Sequence, residues 1–460
     1  MAYFDKSLIE KYQVSCPRYT SYPTANHFHE NFSENDYIRI ARRTNQDSNP
    51  SPLSLYFHIP FCRHICFYCA CNKIVTNNHK KTFPYLSAIH REIGLKAKLF
   101  EKDRQVDQLH WGGGTPTYID HIQMRELMKC TKKHFQLRTD DKGDYSLEID
   151  PREAGEGTIA LLRGLGFNRL SLGVQDFNPT VQKAINRIQT VEETHDLVKE
   201  AESEGYHSIN IDLIYGLPNQ TIESFKDTLN IIKEMDPDRI AVYNYAHLPG
   251  FFKSQRMIRE DDLPGFEEKM DILRFTINYL TNHGYIYIGM DHFAKPDDEL
   301  SIAQNNNTLH RNFQGYSTHV DCDIIGMGVS AISCVGNCYA QNTCKLDDYV
   351  RNISIGKIPV VRGVELNMDD LLRRDVISKL MCHYYVNYSE INATHGIEFC
   401  EYFQVEIMSL AKMERDGLVA IGADEIRVTS RGRLLIRNIC MIFDKYLCPM
   451  NTNGRFSRAI

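Results

Sequence analysis

The run Cys62-Arg-His-Ile-Cys66-Phe-Tyr-Cys69-Ala-Cys71 follows directly on Leu53-Ser-Leu-Tyr-Phe-His58, an apolar, β-rich stretch that reads as a strand. All four thiols therefore sit on the loop leaving the carboxyl end of that strand, where α/β barrels place their chemistry. Outward from this point, short β-rich runs alternate with longer amphipathic segments, the pattern of repeated βα units around a parallel sheet. About seven strands are expected, at residues 53–58, 107–111, 145–150, 169–174, 209–214, 239–244 and 285–290. Between them, residues 82–100, 191–204 and 222–235 carry apolar side chains at helical spacing. The expected fold class is α/β, a (β/α) barrel that right-handed crossovers curl open or closed.

The ends read differently. Residues 1–52 hold the turn-rich run Pro17-Arg-Tyr-Thr-Ser-Tyr-Pro23-Thr24 and little strand periodicity, so an N-terminal arm over the active site is expected, with a partly ordered tail as the alternative. The catalytic barrel is expected over 53–362. Past it, residues 363–460 turn helical, at 368–382 and 401–415, before a hairpin at 417–419 and 426–428. That is a mainly helical, winged-helix-like C-terminal domain, which in enzymes is more often a packing lid than a DNA reader.

Lys+Arg of 53 against Asp+Glu of 59 gives a net charge of −6. No broad basic field is offered to nucleic acid or to an acidic membrane. The charged N-terminus, with Asp5, Lys6, Glu10 and Lys11, is no signal peptide, and no stretch has the apolar length of a membrane span. A cytoplasmic protein is expected, with reduced rather than disulfide-bonded thiols. Of its 14 cysteines, those outside the cluster are scattered from Cys16 to Cys448.

A structural zinc site usually takes ligands from two chain segments, whereas C-x3-C-x2-C wraps three thiolates around one compact object. A cubane iron–sulfur cluster suits it better, and because four-ligand clusters normally use four cysteines, three would leave one iron open. A zinc loop and coincidental core cysteines are the alternatives. Cys71, if the segment from Cys69 is extended, points the same way as Cys69. It is then a thiol packed behind the ligands, a hydrogen-atom donor, or packing. Further on, Trp111-Gly112-Gly113-Gly114-Thr115 closes the second strand in three glycines that leave the backbone bare for close approach, by a ligand, a phosphate or the turn itself. Glu148, Gln175 and Asp212 recur at the ends of later strands. A carboxylate in an apolar strand needs a partner: a ribose diol, or a salt bridge such as one to Arg187.

C-x3-C-x2-C with Tyr68 before the last cysteine resembles the signature of the radical S-adenosylmethionine (SAM) enzymes. The flanks Tyr56-Phe-His58-Ile-Pro-Phe-Cys62 and Asn72-Lys73-Ile74-Val75-Thr76 narrow the resemblance to the oxygen-independent coproporphyrinogen III oxidases. It extends through 245–249, 289–294, 309–316 and 326–333 to 433–440, with Ala70 standing where glycine is expected. The resemblance implies a partial (β/α) barrel of the radical SAM type. It also implies one [4Fe-4S] cluster on Cys62, Cys66 and Cys69, and two SAM molecules. One SAM would touch Tyr56, Gly112, Glu148 and Ile332; the other, Tyr68, Gly113, Gly114, Gln175, Arg187, Asp212 and Ala246. Tyr56, His58 and Cys71 take catalytic roles on this resemblance.

The implied reaction is oxidative decarboxylation of coproporphyrinogen III to protoporphyrinogen IX in haem biosynthesis. Two propionates, on rings A and B, become vinyl groups after a 5′-deoxyadenosyl radical takes a β-hydrogen. The electron donor would be a flavodoxin or ferredoxin with its reductase, and the acceptor is unidentified. A tetra-anionic substrate needs local cations, for which Arg18, Lys73 and Arg311 are the candidates beside a reading of ordinary surface charges. With no long apolar stripe, a monomer is expected. The rival is the radical SAM haem chaperone, which carries an H-N-x-x-Y-W motif where this chain has His310-Arg-Asn-Phe-Gln-Gly-Tyr-Ser317, and which lacks the fourth cysteine. A haem-degrading radical SAM methyltransferase is disfavoured by residues 72–76.

Overall fold

A computed structural model describes residues 3–319 and 322–447, so Cys448 lies outside the described residues. The chain divides into two compact units: Phe28–Gly265 with Asp321–Glu365, and Met1–His27 with Phe266–Val320 and Leu366–Ile460. A break at Glu365/Leu366 falls close to the boundary expected at 362, but none falls at 52. Residues 1–27 belong with the C-terminal unit, and residues 28–52 with the catalytic one.

The catalytic unit is built on β1 Leu53–Ile59, β2 Gln105–Gly113, β3 Asp144–Ile149, β4 Arg169–Gln175, β5 Ser208–Tyr215 and β6 Arg239–Asn244. These pair in parallel in sequence order. Capping boxes fix where the intervening helices begin: Asp120 with Gln123 for His121–His134, Thr190 with Glu193 for Val191–Ser203, and Thr221 with Ser224 for Ile222–Met235. Each box satisfies first-turn amides that nothing inside the helix can reach.

On its other side β1 meets β7 Asp323–Met327, again in parallel. From β7 the sheet continues antiparallel through β8 Ile332–Val335, β9 Cys338–Asn342 and β10 Val360–Glu365. The barrel is thus an open sheet. The strand expected at 285–290 is present as Ile286–Gly289, in an antiparallel hairpin with His292–Ala294 that belongs to the other unit, and β7 beside β1 is a further strand that was not expected. Five successive buried residues give Asp323–Met327 no alternation by which to recognise it as a strand. Residues 34–43 form a helix behind a Ser33–Asp36 capping box, where no helix was expected.

The second unit has its own core, in which Ile9 and Tyr12 join Val376, Leu380, Phe399, Phe403, Ile436 and Cys440. Helix Lys6–Lys11 is therefore part of this fold, tied down by Lys11 and Tyr12 on Asp416. The helix expected at 401–415 is broken into Phe399–Tyr402 and Gln404–Arg415, because Phe403, fully buried, leaves helical geometry between them. Tyr385–Asn387, Glu425–Val428 and Val419–Ile421 form a three-stranded antiparallel wing. Among the described residues no helix is long and apolar enough to cross a membrane.

Candidate active site

Parallel strands covered on both faces are normally apolar throughout, but one face here is polar. Tyr56 pairs with His110 and His110 with Ser146; Glu148 pairs with Ser171 and Ser171 with Asn210; Gly173 pairs with Asp212. The opposite face carries Phe57, Trp111, Leu147, Leu172 and Ile211, all buried. Alternation along five strands thus brings Tyr56, Glu148 and Asp212 onto one surface. Gln175 ends β4 with φ +70°, at an irregularity in the pairing with β5.

The cysteine loop leaves β1 and is pinned at several points. Phe61–Cys62 pairs with Ile74–Val75, and the Asn186 amide donates to the Ile65 carbonyl at 2.7 Å. Ser254 and Gln255, in a turn at Lys253–Met257, donate to the carbonyls of Cys69 at 3.0 Å and Tyr68 at 2.9 Å. Gln255 also reaches Ala246 O at 3.2 Å, which brings Tyr68 and Ala246 together. Neither Ser254 nor Gln255 was foreseen. Both are polar yet buried, a burial the sequence of a turn does not announce.

Each thiol expected as a ligand faces a donor or cation. Thr115 Oγ1 lies 3.7 Å from Cys62 Sγ; Arg187 Nη1 and Arg152 Nη2 lie 3.5 and 3.6 Å from Cys66 Sγ. The Cys71 thiol, helped by burial-opposing Lys73, holds Cys69 below the ordinary thiol range, while burial pushes Cys62 up to about 12. Sulfurs so surrounded suit an anionic iron–sulfur group. The residues present therefore fit a [4Fe-4S] cluster. Lys73 Nζ donates to Cys69 O at 2.8 Å, which places it on the cysteine loop itself.

Next to the loop, His58 Nε2 lies 2.8 Å from the Asn72 carbonyl and Nδ1 lies 3.1 Å from Tyr56 Oη. A carbonyl only accepts, so the proton sits on Nε2 and Tyr56 donates to Nδ1. Burial lowers the His58 pKa and keeps the ring neutral. Tyr56 stacks on His110, whose Nδ1 meets Ser146 Oγ at 2.8 Å and whose Nε2 lies 3.5 Å from Glu148 Oε1. Glu148 also accepts from Gly113 N at 3.1 Å. Burial raises its pKa, but His110 and the Gly113 amide outweigh that and leave it low, hence ionised.

The glycines serve the protein's own contacts. Gly113 has φ +118°, and a Cβ there would lie 2.7 Å from His58 Nδ1; at Gly114 it would lie 2.6 Å from the Pro60 backbone. Gly326, opposite Tyr56 in the β1–β7 register, packs against the Ile332 backbone, so Ile332 lies one strand beyond the strand next to Tyr56.

Arg187 pairs with Asp150 at 2.9 Å rather than with Glu148 or Asp212. Asp212 accepts from Ser171 at 2.8 Å and Asn210 at 2.9 Å, and burial raises its pKa to about 6. Arg18 and Arg311 belong to the second unit. There Arg18 pairs with Asp291, while Arg311, 8% exposed, stacks its guanidinium on Tyr316 at 4.9 Å and has no hydrogen bond to Nε or Nη1 among the described residues.

Residues 56–232 match the radical SAM superfamily and residues 366–435 the HemN C-terminal domain. The chain is 50% identical, over 99% of both chains, to an oxygen-independent coproporphyrinogen III oxidase of Pseudomonas aeruginosa. Its identity to the Escherichia coli protein of that name is also 50%, over 99% of this chain and 98% of the other. The solved E. coli coproporphyrinogen III oxidase, described as a radical SAM enzyme, superposes with a TM-score of 0.91 at 48% identity, covering 97% of this chain and 100% of that one.

Proposed function

We propose the function from a fixed premise: the chain belongs to the oxygen-independent coproporphyrinogen III oxidases, a family of the radical SAM superfamily. It carries out the oxidative decarboxylation of coproporphyrinogen III to protoporphyrinogen IX, converting the propionates of rings A and B to vinyl groups in porphyrin biosynthesis. The observation that carries this is the polar strand face ending at a three-cysteine loop, in a chain 50% identical end to end to enzymes of that name.

Cys62, Cys66 and Cys69 would hold the [4Fe-4S] cluster, which with SAM supplies a 5′-deoxyadenosyl radical able to remove a propionate β-hydrogen. Glu148, ionised and half-open, would accept from the ribose hydroxyls of one SAM, which Tyr56, Gly112 and Ile332 would also help to hold. Tyr68, Gly113, Gly114, Gln175, Arg187, Asp212 and Ala246 would hold a second SAM. Neutral His58 orients Tyr56 through Nδ1, and Cys71 stands behind Cys69. Arg18, Lys73 and Arg311 are the candidate cations for the substrate's propionates. The enzyme works in the cytoplasm as a monomer, with a flavodoxin or ferredoxin as electron donor and an acceptor still to be identified.

Anaerobically reconstituted protein, given SAM and a reductant, should convert coproporphyrinogen to protoporphyrinogen. Cys62→Ser, Cys66→Ser and Cys69→Ser should each lose both the brown chromophore and SAM cleavage. Wild-type protein that cleaves SAM yet forms no vinyl group would overturn the substrate assignment.

A further inference from the structure

Two guanidiniums converge on one cysteine sulfur, and a single carboxylate holds them both. Asp150, at the exit of β3, caps the turn Pro151–Glu153 by accepting from Arg152 N at 3.2 Å. The same carboxylate accepts from Arg152 Nε at 3.0 Å and Nη2 at 2.7 Å, and from Arg187 Nη1 at 2.9 Å. Two cations against one anion leave a net positive charge facing Cys66 Sγ, with Arg152 only 13% exposed. The turn is fastened to the cysteine loop from the other side as well. Glu153, 6% exposed, pairs with Arg63 at 3.1 Å, one residue after Cys62.

We propose that Arg152, held in place by Asp150, is a positioning residue that raises the reduction potential of the cluster through the Cys66 sulfur. The inference rests on the reading that Cys62, Cys66 and Cys69 hold that cluster. Reduction adds one negative charge to the cluster, so a fixed cation and an N–H aimed at a ligand sulfur stabilise the reduced form over the oxidised one. In a poorly hydrated site that preference is weakly screened. The Arg152 donor is charged, which strengthens its hydrogen bond to a thiolate. The arrangement eases electron entry in a chain whose overall charge, −6, opposes it.

The test is a redox titration followed by electron paramagnetic resonance on reconstituted full-length protein without SAM. Arg152→Gln should keep its iron and sulfide content, yet show about a tenfold lower ratio of reduced to oxidised cluster at the wild-type midpoint, a fall of about 59 mV for one electron. Arg152→Lys keeps the charge and should fall less. Asp150→Asn removes the anion between the guanidiniums and should move the midpoint upward. Unchanged midpoints in loaded Arg152→Gln, or in loaded Asp150→Asn should the first variant take up no cluster, would overturn the proposal. Wild-type protein that takes up no cluster would instead sink the reading on which it rests.

Discussion

Two carboxylates of the catalytic unit, Glu92 and Glu148, differ in that one is committed to the fold and the other is left open on the polar strand face. Glu92, fully buried in helix Thr82–Ala97, meets Lys96 Nζ at 2.9 Å, Asn342 Nδ2 at 2.7 Å and Gly328 N at 2.8 Å, and accepts from the Tyr349 hydroxyl. Its oxygens are committed to the protein itself. Glu148 has a distant imidazole, one amide and a side chain 47% exposed. A sealed carboxylate needs all of its partners inside the protein; one left half-paired on an open polar face retains acceptor capacity for a ligand.

The difference is broken most violently at Lys96. Lys96→Met would leave Glu92 as a buried charge without its cation and should cost about 3–5 kcal/mol of stability, read as a large drop in denaturant midpoint. The double variant Glu92→Gln/Lys96→Met should regain most of that loss, and SAM affinity of the folded protein should stay near wild type. A loss below about 1 kcal/mol would mean that the network is not the scaffold element its burial implies.

At Glu148 the expectation inverts. Glu148→Gln keeps the shape but removes the charge, and should weaken SAM binding about ten- to hundredfold in calorimetric titration of the reconstituted protein. The denaturation midpoint should hardly move, since the exposed oxygens lose little internal bonding. A large stability loss with unchanged SAM affinity would assign Glu148 to the scaffold beside Glu92.

The same contrast explains what could be read from the sequence. The cysteines and the glycine run are contiguous, so their spacing alone pointed to a candidate site, and the alternation of strand-like and helical stretches revealed six parallel strands. Glu148 and Asp212 showed themselves as acids inside apolar strands. Arg152, Ser254 and Gln255 did not, because each acts on the cysteine loop from a distant segment, and only the tertiary fold brings them there. β7 was missed for the same reason. Its five buried residues look like any short apolar run until β1 is seen to need a second parallel neighbour.

Asp212 lies between the two extremes and gives the finest test. Ser171 and Asn210 bond it, but burial dominates and raises its pKa from 3.8 to about 6. The folded carboxyl therefore keeps its proton over a range in which the unfolded one has already lost it. The stability from this neutral form is fully present below about pH 4 and is lost as pH rises through about 6. Asp212→Asn removes that slope and should stabilise the ligand-free protein at pH 7 by on the order of 1–3 kcal/mol, measured as denaturation midpoint against pH. SAM binding should move the opposite way. A ribose diol donates best to the ionised form, so wild-type affinity should fall as pH drops below about 6, and Asp212→Asn should bind weakly at every pH. A variant that gains stability and keeps full SAM affinity would show that the buried acid is a defect of the strand rather than part of the site.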